Sequence, residues 1–290
     1  RMLPLLPCAL TLALAAPPRA GETFRLLEQH SGGRLGVAVL DAQGKPRLVH
    51  RGGERFPFCS TVKVLIAGAV LAQADAGTLR LEERVAFGAE DLLAHAPVCR
   101  GRLAQGGMSL AELCEAALGV SDNTAANLLL ARLGGPAAVT AFARAIGDGE
   151  TRLDRREPEL NEARPGDPRD TTTPEAMAAP LRRLLEGPAL RKASRARLAA
   201  WMAASTTGAR RLRAGFPSGW GVKDRSGSGD QGTTNDIAVV TVPDGTPLFV
   251  AVYLTGARVD AAARERVIAG AGRIVAAWWR MEGAEGPAPR

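Results

Sequence analysis

Aromatic residues, histidines and cysteines are all scarce in this chain of 290 residues. It has one tyrosine, four tryptophans and three histidines, and its four cysteines form no CxxC pair. Surfaces that bind nucleic acid usually combine basic with aromatic side chains, and structural zinc sites need clustered cysteine or histidine ligands. The sequence therefore gives little support to a nucleic-acid partner or to a metal site, and it predicts no cofactor.

The net charge of +7 comes mostly from arginines that are spread along the chain. A spread of basic residues is typical of a solvated surface, which we favour over a nucleic-acid-binding one. No Pro-, Gly- or Ser-rich linker divides the sequence, so we expect one compact unit or two interleaved lobes.

Residues 1–20 have the pattern of an export signal. Arg1 is followed by a short apolar run that ends in small residues near Ala20. The run is too short to span a bilayer, and no later stretch reaches that length. An alternative places Cys8 in a lipidation box, although this cysteine precedes most of the apolar run. We expect a mature, monomeric chain that begins near Gly21 and lies free in the periplasm without membrane contact.

Strand patterns occupy both ends of the chain, and helical patterns occupy the middle. Residues 34–50 read as a β-hairpin, and residues 237–242 and 248–254 read as a second strand pair. Apolar periodicity predicts helices over residues 61–76, 109–118, 123–133, 136–146, 174–185 and 260–279.

This order predicts an α/β fold with two lobes. Residues 21–52 and 203–283 would form a discontinuous α/β lobe, residues 53–202 an all-α lobe, and residues 284–290 a tail. Within the second lobe, residues 152–170 are polar, lack helical periodicity and are long for a connection, so we expect a functional Ω-loop there. A ligand cleft is expected between the lobes.

A serine and a lysine lie one helical turn apart at the start of the segment 61–76. Ser60 and Lys63 would share a face of that helix. A nucleophilic serine needs a nearby base, and a lysine can serve once burial or neighbouring cations lower its proton affinity. Without other motifs, a capping serine and a solvated lysine would explain the pair better.

Two more polar clusters follow. The triplet 121–123 places Ser121 and Asn123 two residues apart at a helix start, where Asp122 could simply be a cap. In residues 224–229, a glycine-interrupted strand edge would let a ligand lie against the backbone, with the Arg225 cation and two hydroxyls beside it. An ordinary glycine turn is the alternative there.

In this order and spacing, the three clusters resemble the S-x-x-K, S-D-N and K-T-G motifs of the class A serine β-lactamases. The resemblance covers nearly the whole chain after residue 20 and extends to residues 157–161 of the Ω-loop. It implies a serine β-lactamase/D,D-peptidase-like fold, in which helices flank an antiparallel sheet. It also implies hydrolysis of β-lactam antibiotics, namely penicillins and some cephalosporins, through an acyl-enzyme.

The resemblance implies four catalytic residues. Ser60 would attack the lactam carbonyl, and Ser121 would pass a proton to the leaving nitrogen. Lys63 and Glu157 would share the base function, with Glu157 acting through a water that Asn161 also holds.

The resemblance also implies substrate-binding and structural roles. The residues implied in binding are Asn123 for the acylamide side chain, Arg225, Ser226, Ser228 and Arg211 for the carboxylate, Asn161 for the water, and His95 at the cleft mouth. Arg211 could instead be a surface arginine, and His95 a solvated loop residue. Arg155 and Asp170 match a pair that ties the ends of the Ω-loop, and the Glu157–Pro158 bond is expected to be cis.

The chain departs from the usual pattern at its third motif and at its cysteines. Arg225 replaces the common lysine, as in a branch noted for carboxypenicillin hydrolysis. Cys59 resembles a cysteine that is bridged in class A carbapenemases, but Gly229 stands in the partner's place. Cys114 matches a cysteine that is bridged in other members of the family, but Ala67 stands in the expected partner's place, so we expect no disulfide of either kind.

Two competing functions share parts of this pattern. A D,D-peptidase or transpeptidase has the three motifs without the Glu157/Asn161 water site, and a β-lactam sensor becomes acylated but is normally anchored by a membrane segment. Neither would turn over a β-lactam, so a chromogenic cephalosporin discriminates both from a hydrolase.

Overall fold

The computed structural model describes residues 20–281, so residues 1–19 of the predicted export signal and the tail 284–290 lie outside the described residues. In chain order the helices are α1 Ala20–Ser31, α2 Lys63–Asp75, α3 Pro97–Gly101, α4 Leu110–Gly119, α5 Asn123–Leu133, α6 Pro136–Ala145, α7 Pro174–Leu185, α8 Lys192–Ala203, α9 Leu212–Gly215 and α10 Ala261–Met281. The strands are β1 Arg34–Leu40, β2 Pro46–His50, β3 Phe56–Pro57, β4 Arg84–Ala86, β5 Gly107–Ser109, β6 Thr171–Thr172, β7 Gly221–Gly229, β8 Thr233–Thr241 and β9 Pro247–Thr255.

Five strands form one antiparallel sheet in the order β2-β1-β9-β8-β7. The α/β fold class is thereby confirmed, together with both predicted strand pairs. Strand β8 begins earlier than predicted, at Thr233, because residues 233–236 pair with the end of β7. Strand β7 carries the third motif and lies at the edge of the sheet, so one side of its backbone faces away from the other strands.

The two faces of the sheet belong to two apolar cores. Because side chains alternate along a strand, Val250 and Val252 of β9 pack in the core shared with α1 and α10. Phe249 and Ala251 face the opposite core, which contains residues of α2, α4, α5 and α7. The predicted lobe boundaries, 21–52 with 203–283 and 53–202, stay a prediction.

Four helices had no counterpart in the sequence prediction: the short α3 and α9, and the longer α1 and α8. Helix α1 begins at the end of the expected export signal, and α8 begins with alternating basic and small residues that show no apolar stripe. The buried apolar residues of α8 all lie in its C-terminal half: Leu198, Trp201 and Met202. An apolar pattern confined to one end of a helix is too short to be recognised by periodicity.

Within residues 20–281, no single helix has the length and hydropathy of a membrane span, while α5 and α6, which meet at a 73° bend, reach both only as a pair.

Candidate active site

The predicted nucleophile lies where a turn meets an edge strand. Ser60 is in the 3-10 turn Cys59–Val62 directly before α2, and only 8% of it is exposed. A Cβ atom on Gly227 of β7 would lie 2.9 Å from the Phe58 carbonyl oxygen and 3.1 Å from the Ser60 nitrogen. Those distances exclude a side chain, so glycine is required where strand and turn meet. Asn235 Nδ2 donates to the Phe58 carbonyl at 3.2 Å and ties the turn to β8.

Lys63 is completely buried, and its ammonium group is surrounded by oxygen atoms. Its Nζ atom lies 2.9 Å from Glu157 Oε1, 3.1 Å from Ser121 Oγ and 2.6 Å from Asn123 Oδ1. Burial lowers the pKa of Lys63 to about 8, although the Glu157 charge acts in the opposite direction. A lysine with this pKa exchanges its proton near neutral pH, as a catalytic base must.

Glu157 is the second buried group beside the nucleophile. Its Oε1 accepts from Ser60 Oγ at 3.2 Å, and its Oε2 accepts from Asn161 Nδ2 at 2.5 Å. The side-chain amide of Asn127 also clamps the Glu157 backbone, accepting from its N–H at 3.0 Å and donating to its carbonyl at 2.8 Å. The Glu157–Pro158 bond is cis, which confirms the prediction from the sequence.

Asn161 approaches Glu157 from the next turn of the loop. It lies in the 3-10 turn Glu159–Asn161, and its Nδ2 also donates to the Pro158 carbonyl at 3.0 Å. Its Oδ1 is buried and accepts no hydrogen bond from any described residue. Asn161 therefore offers a buried acceptor beside the Glu157 carboxylate.

The predicted loop pair comes together at the ends of the Ω-loop. Arg155 Nε lies 2.5 Å from Asp170 Oδ2, and the Asp170 side chain is 1% exposed. The other Asp170 oxygen accepts from the backbone N–H groups of Asp154 and Arg155, at 2.8 Å and 3.0 Å. Arg155 also reaches Glu162 at 2.6 Å, so one guanidinium joins both ends and the middle of the loop.

The second motif divides into a catalytic-site half and a structural half. Ser121 has a positive φ of 63°, and its Oγ donates to Ser60 Oγ at 3.2 Å. Asp122 caps α5 by accepting from the Ala125 N–H at 2.9 Å. Its second oxygen accepts from the Cys99 N–H at 2.9 Å, so Asp122 fixes the start of α5 as a buried cap.

His95 lies next to this motif and is exposed. Its Nε2 donates to the Val120 carbonyl at 3.0 Å, and its own carbonyl accepts from the Asn123 N–H at 2.9 Å. The side chain is thus held against the backbone that enters the second motif. Both predicted interpretations, a cleft-mouth residue and a solvated loop residue, are compatible with this position.

The third motif brings a buried cation to the same cluster. Arg225 donates through Nη2 to Ser121 Oγ and through Nη1 to Thr207 Oγ1, the second bond being 3.0 Å long. Burial lowers the pKa of Arg225 to about 10, so this guanidinium keeps its charge at neutral pH. The same Thr207 oxygen accepts from Ser226 Oγ at 2.7 Å.

Arg211 packs against the third motif and is not a surface arginine. It is 7% exposed and donates to the carbonyls of Gly227 and Asn235, at 2.8 Å and 2.9 Å. Its Nη2 also donates to Ser228 Oγ at 2.7 Å. Of the two interpretations drawn from the sequence, the one that placed Arg211 on the surface is wrong.

The three cysteines within the described residues are Cys59, Cys99 and Cys114, and each is a buried free thiol. A Cβ atom on Gly229 would lie 2.7 Å from Cys59 Sγ, which places Gly229 directly opposite that thiol. Among residues 20–281 there is no group of three His, Cys, Asp or Glu side chains arranged to hold a metal ion.

Two polar residues of the site had no role assigned from the sequence. Asn127 lies one helical turn after Asn123 on α5, and this spacing on a shared face was an available signal. Thr207 lies in the segment between α8 and α9, and its partners are on β7. No local pattern links a loop hydroxyl to a strand that follows it after another helix.

A separate cleft of about 590 Å³ is lined in part by residues 163–168 of the Ω-loop. It contains no nucleophile, and its arginines are paired with carboxylates: Arg34 with Glu54 at 2.8 Å, and Arg55 with Glu150 at 2.6 Å. The catalytic cluster around Ser60 is therefore the better candidate site.

Sequence comparisons agree with the geometry. A family model described as the beta-lactamase enzyme family matches residues 20–279. Beta-lactamase OXY-2 of Klebsiella oxytoca is 50% identical over 249 residues, which cover 86% of this chain and 86% of that protein. Beta-lactamase CTX-M-8 of Citrobacter amalonaticus is 47% identical over 281 residues, or 95% of this chain and 96% of that protein.

Solved structures give the same result. An ancestral class A β-lactamase shares 59% identity at a TM-score of 0.87, covering 89% of this chain and 98% of the other. A putative class A β-lactamase named PenP, from Rhodopseudomonas palustris, shares 54% identity at a TM-score of 0.87 with the same coverage. Similarity extends over nearly all described residues and includes both the sheet and the helices.

Proposed function

Because this chain belongs to the class A serine β-lactamases, and so hydrolyses β-lactams, we propose that it does so through an acyl-enzyme on Ser60 that Glu157 helps to hydrolyse. The observation that carries this mechanism is the convergence on one hydroxyl. Ser60 Oγ lies 3.2 Å from Glu157 Oε1 and 3.2 Å from Ser121 Oγ, while Lys63 Nζ contacts the same glutamate oxygen at 2.9 Å.

Acylation begins when Ser60 Oγ loses its proton and attacks the lactam carbonyl. Glu157 lies within hydrogen-bond reach of Ser60 and can take the proton, and Lys63 is linked to Ser60 through Ser121. The backbone N–H groups of Ser60 and Ser228 would stabilise the oxyanion that develops on the carbonyl. The attack opens the ring because the carbon–nitrogen bond breaks as the ester forms.

Ser121 returns a proton to the departing ring nitrogen. Its Oγ touches Ser60 Oγ, Lys63 Nζ and Arg225 Nη2, so it lies between the nucleophile and two cations. Those cations favour loss of its proton, and Lys63 can resupply it.

The substrate is held by its carboxylate and its acylamide side chain. Arg225, Ser226, Ser228 and Arg211 form the polar face along β7 that would bind the carboxylate, and a guanidinium suits that group in charge and shape. Asn123 would bind the acylamide, although in this structure its Oδ1 accepts from Lys63.

Deacylation requires a water molecule activated by a base. Glu157 Oε2 and the buried Oδ1 of Asn161 both belong to the loop face beside Ser60, so together they provide two acceptors for that water. Glu157 takes a proton as the water attacks the ester, and Ser60 Oγ is released. No cofactor takes part in this scheme.

We also propose that the protein acts as an exported monomer in the periplasm, where small β-lactams reach it. Nucleic acid and membrane lipid have no part in this function. Export is tested by fractionating cells that express the full chain.

Turnover of a chromogenic cephalosporin tests the proposed mechanism against its competitors. The wild-type enzyme should give many turnovers, whereas a D,D-peptidase or a sensor would stop after one stoichiometric burst. The Ser60→Ala variant should form no adduct with penicillin in intact-mass spectrometry. An adduct on that variant would place the nucleophile elsewhere.

A further inference from the structure

One hydroxyl outside the three motifs accepts hydrogen bonds from two residues of the third motif. Thr207 Oγ1 accepts from Arg225 Nη1 at 3.0 Å and from Ser226 Oγ at 2.7 Å. Arg225 is fully buried, its Nε has no partner among residues 20–281, and its other contact is with Ser121. Thr207 is thus one of two side chains that hold this guanidinium in place.

The direction of each bond follows from the number of protons available. A hydroxyl donates once and accepts at two lone pairs. Thr207 uses both lone pairs on Arg225 and Ser226, so its own proton is directed to Ser205 Oγ at 3.4 Å. Ser226 uses its single proton on Thr207.

Ser228, unlike Ser226, has not used its hydroxyl proton on any described residue. It accepts from Arg211 Nη2 at 2.7 Å, so its proton is free to be donated to a ligand. The two serines of the third motif therefore differ although both lie on β7. Ser228 is ready to donate, while Ser226 must first give up its bond to Thr207.

We infer that Thr207 is a positioning residue, which fixes the Arg225 guanidinium and withholds the Ser226 hydroxyl, so that the substrate carboxylate is bound mainly by Arg225 and Ser228. This inference rests on the proposed function, because it concerns the same carboxylate. It adds a residue from outside the three motifs and ranks the two serines.

The Thr207→Val variant tests the inference, since valine keeps the shape and removes the acceptor. An unpaired N–H on a buried guanidinium is costly, and charge-assisted bonds are stronger than neutral ones. Loss of the Arg225 anchor should therefore outweigh the release of Ser226. We expect KM for benzylpenicillin to rise about tenfold with kcat changed less than about twofold. Thr207→Ser should restore the wild-type KM.

Two controls separate positioning from general damage. Thr206→Val changes the neighbouring threonine, which is exposed and contacts the Gly119 carbonyl at 3.4 Å rather than β7, and it should leave KM unchanged. The methyl ester of benzylpenicillin lacks the carboxylate, so Thr207→Val should not raise its KM. Ser228→Ala should raise KM for benzylpenicillin more than Ser226→Ala does.

An unchanged KM in Thr207→Val, an equal rise for acid and ester, or a larger effect of Ser226→Ala than of Ser228→Ala would each overturn the inference. Failure of the proposed function would look different, because the Ser60→Ala variant would then still form an adduct with penicillin.

Discussion

The two sides of the catalytic cluster are held by different forces. Ser60 and Lys63 stand at the start of α2, and every residue from 64 to 71 is buried in an apolar core. Glu157 stands on the Ω-loop, where its position depends on a few polar contacts from Asn127, Asn161 and the Arg155–Asp170 pair. The α2 side is held by many weak apolar contacts, and the Ω-loop side by a few strong polar contacts.

This difference predicts how each side responds to substitution. Dispersion contacts are individually small, so the loss of one methyl group lowers stability while the geometry persists. A buried polar contact leaves an unpaired partner when it is broken, and the loop then has little else to hold it. Substitutions in the core of α2 should therefore lower stability without changing activity. Substitutions that break the polar contacts holding the Ω-loop should lower both.

The largest effect is expected from Glu157→Gln, which removes the proposed base and keeps the loop. Deacylation should slow by about a hundred- to ten-thousand-fold, because glutamine cannot accept the proton from water. Intact-mass spectrometry should then show a persistent penicilloyl adduct on a variant that thermal unfolding shows to be folded. A folded variant with wild-type turnover and no trapped adduct would mean that Glu157 is not the base.

Asp170→Asn should produce the next largest effect. Losing one partner of a mostly buried pair costs about 3 kcal/mol of stability, and displacement of Glu157 by about 1 Å can slow deacylation up to a hundredfold. Thermal unfolding and single-turnover kinetics should both register the change, and its size should vary between substrates.

Asp167→Asn is the matched control, because Asp167 pairs with Arg169 on the same loop at 2.7 Å and forms no ion pair with Arg155. Arg169 is largely exposed, so this ion pair should contribute less than the buried one. Equal losses in the two variants would refute the view that the buried pair holds the base.

A smaller, pH-dependent effect should appear in the acylation of the Glu157→Gln enzyme, where Lys63 is the remaining base. The Glu157 charge raises the pKa of Lys63, which is about 8 in the intact site, so removing that charge should lower this pKa further. Since only neutral lysine accepts a proton, the acylation rate should rise about tenfold per pH unit up to the new pKa and then level off. Rapid-quench mass spectrometry over a pH series measures it, and a flat profile would exclude Lys63 as the base.

The smallest effect on catalysis should come from Ile66→Val on α2. Ile66 is 1% exposed, so loss of its methyl group should lower the free energy of unfolding by about 1 kcal/mol. Chemical denaturation measures that loss, and kcat for penicillin should stay at the wild-type value. A parallel fall in kcat would show that packing of α2 sets the catalytic geometry closely.

The local parts of the site could be predicted from the sequence. Ser60 and Lys63 are three residues apart at a helix start, and helical geometry alone puts them on one face. The cis bond at Glu157–Pro158 was likewise accessible, through the resemblance to a family.

Contacts between distant segments could not be predicted in the same way. Arg211 looked equally like a surface residue, because its partners Gly227 and Asn235 become neighbours only when β7 and β8 pair. The clamp that Asn127 makes on Glu157 joins a helix to a loop thirty positions later. Such bonds depend on tertiary packing, which periodicity and local spacing do not encode.

The close approach of Gly227 to the turn at Ser60 has a consequence for how the enzyme can diversify. A side chain at position 227 would collide with the Phe58 carbonyl, whereas positions 226 and 228 on either side carry serines. In a library randomised over residues 226–228 and selected on ampicillin, we therefore expect alternative residues on both flanks and glycine alone between them. Gly227 thus fixes the distance between the sheet edge and the turn at Ser60, which limits the width of the cleft. Substitutions that adapt the enzyme to new drugs must therefore occur at other positions.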